Sequence, residues 1–127
     1  MVVKITKTLE LRNIQNKIKS QNLPIKTAYK FSKLFASVDT EADFYGQKLQ
    51  EIINTYAEKD EAGNPIPTDN NDGVKIQKEL LSECQEKLNE LFQLDVELPD
   101  IKFTLNELES LEISVDEFSA LLPFIEE

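Results

Sequence analysis

Histidine and tryptophan are missing altogether, cysteine occurs once and glycine three times in 127 residues. Without histidine the chain lacks the commonest acid–base side chain near neutral pH and the commonest metal ligand. Cys84 alone can build neither a thiolate cage nor an internal disulfide, so no metal site is expected and nothing in the cysteine usage implies an oxidising compartment. Gly46, Gly63 and Gly73 stand apart and none precedes Lys-Ser or Lys-Thr, which removes the phosphate-cradling loop of nucleotide-hydrolysing enzymes. No apolar run approaches the roughly 18 residues a spanning helix needs, and the opening MVVKITKTLELRN has no signal-peptide core. A cytoplasmic protein without a membrane segment is expected.

What is present fits an ordinary globular chain: 40% hydrophobic and 30% charged residues, read as one domain over 1–127. The formal charge of −10 is unevenly spread. Residues 1–38 carry eight basic side chains against Glu10 alone, a net +7, whereas 39–94 sum to −8 and 95–127 to −9 with Lys102 their last base. A basic head can contact nucleic acid, but it can equally attract the acidic remainder within one fold, and the second is favoured.

Val3 and Ile5 alternate with polar residues as in a short strand, and from Thr8 the spacing of Leu11, Ile14 and Ile18 predicts a helix over 8–21. Pro24 suits the start of the next helix, where the missing N–H costs nothing. Ala28, Phe31, Phe35, Val38, Ala42, Tyr45, Leu49, Ile52 and Tyr56 then step by three and four, predicting one long helix over 24–57. A break near residues 37–40 is the alternative, because Thr40 with Asp43 resembles an N-terminal cap and Gly46 disfavours a helix interior. Residues 58–75 hold the densest turn chemistry and form an exposed connection, either a small hairpin about 68–73 or a disordered tip. A third helix over 76–93 carries Ile76, Leu80, Cys84, Leu88 and Leu91 on one stripe, and Phe31, Phe35, Leu49 and Ile52 are expected to pack against it. Short strands follow at 95–98 and 101–103. Thr104 with Glu107 and Ser114 with Glu117 fit the capping-box pattern, in which hydroxyl and carboxylate satisfy unpaired backbone donors, so short helices are expected over 105–111 and 115–122. The apolar end around Phe124 needs a surface to cover it.

Few constellations carry chemistry. A calcium loop counted from Asp69 needs glycine sixth and glutamate twelfth, and finds Val74 and Leu80. The Asp60-Glu61 pair lies in the exposed connection, without apolar surroundings to raise a carboxyl pKa. Cys84 sits in an apolar stripe beside Glu83 and Glu86, which oppose a thiolate. Lys26, Lys30 and Lys33 recur at helical spacing with Tyr29 among them, the one arrangement suited to an acidic partner or phosphates. They are the candidate partner-binding residues. Nucleic acid is disfavoured, since the acidic remainder repels a duplex. No catalytic, cofactor-binding or metal-binding residue is assigned, although carboxylate-only chemistry stays open.

The order of segments KITKTLELRNI, LPIKTAYKFSKL, FYGQKLQEIINTYAEKDEAGN, VELPDIKF and SVDEFSALLPFIEE resembles a group of small proteins encoded by tailed bacteriophages and prophages. The resemblance spans nearly the whole chain, transfers no site residue, and implies the cytoplasm of an infected bacterium or the virion. The fold expected is mostly α (α+β): a long antiparallel helical hairpin with short β-strands and a C-terminal cap of short helices. The function expected is that of a non-enzymatic phage accessory protein without cofactor, binding phage or host proteins in particle assembly or as a minor structural component. The alternative is an acidic inhibitor of a host enzyme or defence system that mimics nucleic acid. Homo-oligomerisation through an uncovered part of the long seam stays open.

Overall fold

The computed structural model describes residues 1–126 and is mostly helical, with one small two-stranded sheet. Contacts group the chain into two compact units: Met1–Asp43 with the described part of Asp95–Glu127, and Phe44–Leu94.

In the first unit β1 (Val2–Lys4) pairs antiparallel with β2 (Asp95–Glu97), Val3 facing Val96. α1 (Ile5–Lys19) follows β1 without a loop. The expected helix began at Thr8, three residues too late. Lys4 precedes the helix without a side-chain cap, so no local signal marks the start; burial of Ile5 at 0% exposure, off the stripe of Leu11, Ile14 and Ile18, sets it. Lys17 and Lys19 place positive charge in the last turn, where the helix dipole favours it.

α2 (Ile25–Tyr56) is one uninterrupted helix of 32 residues, as the unbroken apolar seam predicts. Thr40 does not cap a new helix: its hydroxyl donates to the Ala36 carbonyl at 3.1 Å, one turn back along the same helix. Residues of α2 up to Asp43 belong to the first unit and those from Phe44 to the second.

Phe31, Leu34, Phe35 and Val38 join Leu11, Ile14 and Ile18 in a core completed by Leu98, Ile101, Phe103, Leu108, Leu121 and Phe124. The Phe31 ring stacks on Phe103 at 4.4 Å between centroids and on Phe35 at 5.5 Å. The expected packing of Phe31 and Phe35 against Leu80, Cys84, Leu88 and Leu91 is therefore corrected; their partners come from α1 and the C-terminal segment. That segment holds α4 (Leu105–Leu108) and α5 (Val115–Ser119), each started by the predicted capping box. The chain end docks as a strand-like piece: the Phe103 N–H donates to the Phe124 carbonyl at 2.7 Å and the Glu126 N–H to the Phe103 carbonyl at 2.8 Å. Four ion pairs join the basic head to the acidic tail, namely the Met1 amino group with Asp100, Lys4 with Asp95, Lys17 with Glu117 and Lys30 with Glu107, all between 2.8 and 3.0 Å.

In the second unit the rest of α2 meets α3 (Leu81–Phe92) in antiparallel fashion: Tyr45 stacks near Phe92 at 6.2 Å, while Tyr56 at the other end lies beside Glu83 and Cys84. A 3-10 turn, Lys78–Leu80, precedes α3 where the expected helix already began at 76. The connection is ordered by a closed ring of backbone hydrogen bonds. The Glu58 N–H donates to the Lys75 carbonyl, the Lys75 N–H to Ile66 and the Ile66 N–H back to Glu58, each at 2.8 to 2.9 Å. The hairpin expected about 68–73 is present, with Thr68 N–H donating to the Gly73 carbonyl at 3.0 Å. Its pairing with residues 57–59 is the addition. Asp60 Oδ1 accepts from the Ala62 and Asn64 N–H groups, and Gly63 supplies the positive φ of 85° that this turn requires. Within this unit only Tyr56, Ala57, Cys84 and Leu91 are buried hydrophobic residues, so its core is thin.

Candidate functional site

Among the described residues an open, largely apolar groove lies in the first unit, where the first turns of α2 face residues 100–102. Its volume is about 490 Å³. Ile25, Tyr29 and Ile101 supply apolar surface, and Lys26, Lys30, Lys33 and Lys102 supply charge. Helical geometry explains the grouping: positions 25, 26, 29, 30 and 33 recur at intervals of three and four and so share one face of α2. The other face carries Phe31, Leu34 and Phe35 into the core. The groove is thus the solvent side of the same helix turns whose inner side is fully committed.

The structure brings all three predicted lysines to this groove and gives them different tasks. Lys30 Nζ donates to the Lys102 carbonyl at 2.8 Å and to Glu107 Oε1 at 2.9 Å, and lies 5.7 Å from the centre of the Phe103 ring. It is tied into the fold. The backbone N–H of Thr104 and the Lys30 ammonium hold the Glu107 carboxyl below its ordinary pKa, which favours its carboxylate form. Lys102 spans outward, its Nζ donating to the Pro123 carbonyl at 2.9 Å. Lys26 and Lys33 form no ion pair or hydrogen bond with the described residues, which leaves their ammonium groups for a ligand.

The groove contains one carboxylate, Asp100, and it is paired with the Met1 amino group at 3.0 Å. The first turn of α2 holds no acidic residue, so its partial positive charge is uncompensated there. Two large apolar side chains stand in water: Ile25 is 88% exposed and Tyr29 66%. Val115 at 84% and Val2 at 66% are as exposed elsewhere, but here two such side chains stand on adjacent turns of one helix face. Sequence reasoning missed Ile25, Ile101 and Lys102. The signal available was that Lys102 is the lone base of residues 95–127, but its approach to α2 is a matter of chain path.

No family model, curated protein or solved structure matches the chain.

Elsewhere the titratable groups show structural perturbations. Burial raises the pKa of the Cys84 thiol, which keeps it protonated, and burial likewise raises Tyr45 and Tyr56. The Glu117 carboxyl is pulled down to about 2 by the Lys17 ammonium and the Ser114 backbone N–H. Each lies outside the groove. Among the described residues no three Cys, Asp or Glu side chains converge closely enough to hold a metal ion, and no helix is long and apolar enough to cross a membrane.

Proposed function

We propose that the protein is a non-enzymatic accessory protein that acts by holding a protein partner, in the bacteriophage setting that the resemblance of its segments implies. The observation that carries this is the groove beside α2, where exposed Ile25 and Tyr29 lie among lysines on a chain whose total charge is −10. Apolar side chains surrounded by charge are the usual anatomy of a protein-binding patch, the apolar part giving affinity and the rim giving orientation. Within the proposed setting the partner is a phage or host protein met in particle assembly, or a neighbour in the particle.

Site-specific crosslinking tests the proposal. A photo-reactive phenylalanine analogue placed at Tyr29, with the same analogue at the exposed Val115 of α5 as control, is expressed in infected cells. Discrete polypeptide adducts at position 29 and none at 115 are expected. Equal adducts at both positions, or none at 29, would remove the groove as the functional surface. Nucleic-acid mimicry by the acidic stretch 39–94 would then become the better account, because that stretch carries −8 and does not line the groove.

A further inference from the structure

We infer that the groove recognises an acidic segment of a partner polypeptide, one that presents two carboxylates about 10 Å apart with an apolar side chain between them. This rests on the proposed protein-binding role of the groove and names the chemistry of what it binds. Lys26 and Lys33 are seven residues apart on α2, which is nearly two full turns, so they project from the same face with a separation of about 10 Å along the axis. Tyr29 lies between them along the helix and Ile25 just before them. The two free ammonium groups therefore bracket Tyr29, with Ile25 at the edge of the pair.

Charge selects the sign of the ligand. Lys30 is paired with Glu107 and Lys102 donates to the Pro123 carbonyl, while Asp100, exposed as it is, forms an ion pair with the Met1 amino group at 3.0 Å. An anionic ligand thus meets two unpaired cations, whereas a basic segment is repelled by them and finds the groove's one carboxylate already in an ion pair. The apolar part separates a polypeptide from nucleic acid. Ile25 offers no planar face for a base to stack on and Tyr29 is a single ring, whereas an aliphatic or aromatic anchor between two carboxylates covers both. The spacing suits a helical ligand with acids at i and i+7, or a polyproline-type ligand with acids at i and i+3, where three residues at about 3.1 Å each give about 9 Å.

The test titrates the intact protein, labelled with ¹⁵N, with three synthetic helical peptides. One has Glu at two positions seven apart with Leu between, the second has Gln at both Glu positions, and the third has Lys. Shifts at Tyr29, Lys26, Lys33 and Ile101 are expected with the Glu peptide, about tenfold weaker binding with the Gln peptide and none with the Lys peptide. Affinity for the Glu peptide should fall as salt is raised. A Lys26→Glu, Lys33→Glu double variant should lose the Glu peptide and gain the Lys peptide. That reversal of preference does not occur if the variant is merely misfolded. Equal binding of the Glu and Gln peptides would overturn the acidic specificity while leaving a protein-binding groove in place. A single-stranded oligonucleotide that shifts the same residues and outcompetes the Glu peptide would overturn it in favour of nucleic acid. Crosslinking at Tyr29 together with no shift from any peptide would also overturn it and leave the protein-binding role standing. Absence of both the crosslink and the shifts would remove the two together.

Discussion

Replacing Phe103 with alanine gives the most direct check on how the first unit is held together. The ring is 0% exposed, stacks on Phe31 at 4.4 Å and sits in the core with residues of α1, α2 and the chain end. Deleting a buried phenylalanine side chain costs the transfer free energy of the lost atoms plus that of the residual cavity, about 3–5 kcal/mol. The backbone bonds of residue 103 to 124 and 126 do not depend on the side chain and cannot compensate. At a urea slope of about 1.5 kcal/mol/M the midpoint should fall by about 2–3 M, a large part of the 5–15 kcal/mol that typically holds a domain. Urea titration followed by circular dichroism at the helix band measures it. Val115→Ala, at a site 84% exposed, serves as the control and should change the unfolding free energy by less than about 0.5 kcal/mol. A Phe103→Ala variant whose unfolding free energy lies within about 1 kcal/mol of the parent would refute the assignment of Phe103 to the core.

Gly46 lies inside α2 with nothing within 4 Å of where a Cβ would stand, so Gly46→Ala should raise stability by about 0.5–1 kcal/mol in the same titration; a loss would mean the position is strained or in contact. Glu117 titrates near 2 in the folded protein and near its ordinary value when unfolded, so its contribution is fully present above about pH 5 and is lost as pH falls towards 2. Glu117→Gln keeps a capping side chain but cannot titrate, and melting temperatures measured across that window should fall less steeply than in the parent; identical slopes would refute the Lys17 pairing. Lys30→Met should cost about 1 kcal/mol through loss of its bonds to Glu107 and the Lys102 carbonyl, whereas Lys26→Met and Lys33→Met should melt with the parent; equal effects at all three would contradict the division of roles among these lysines.

Legibility varied with how local the governing interaction is. The capping boxes at Thr104 and Ser114 were readable because hydroxyl, carboxylate and the N–H groups they satisfy all lie within four consecutive residues. Continuity of α2 was readable because its apolar seam keeps phase through Thr40 and Gly46. The start of α1 was not, because Lys4 offers no cap and only the buried environment of Ile5 decides it. The closed ring joining residues 58, 66 and 75 was not, for a related reason: outside proline, backbone N–H and C=O groups are the same at every residue, so their partners leave little mark in side-chain patterning.

By itself the amino-acid sequence determined the helical periods, the two capped short helices, the charge division between head and tail, and the row of lysines on one face of α2. These follow from spacing along a chain of known helical geometry. Only the tertiary structure decided that Phe31 and Phe35 pack with Phe103 and Phe124, since an apolar stripe specifies that it must be covered and not by which of several apolar segments. The same holds for the groove. Lys26, Lys30 and Lys33 are equivalent by spacing, but the path of residues 100–107 places a carbonyl and a carboxylate against Lys30 and leaves Lys26 and Lys33 to solvent.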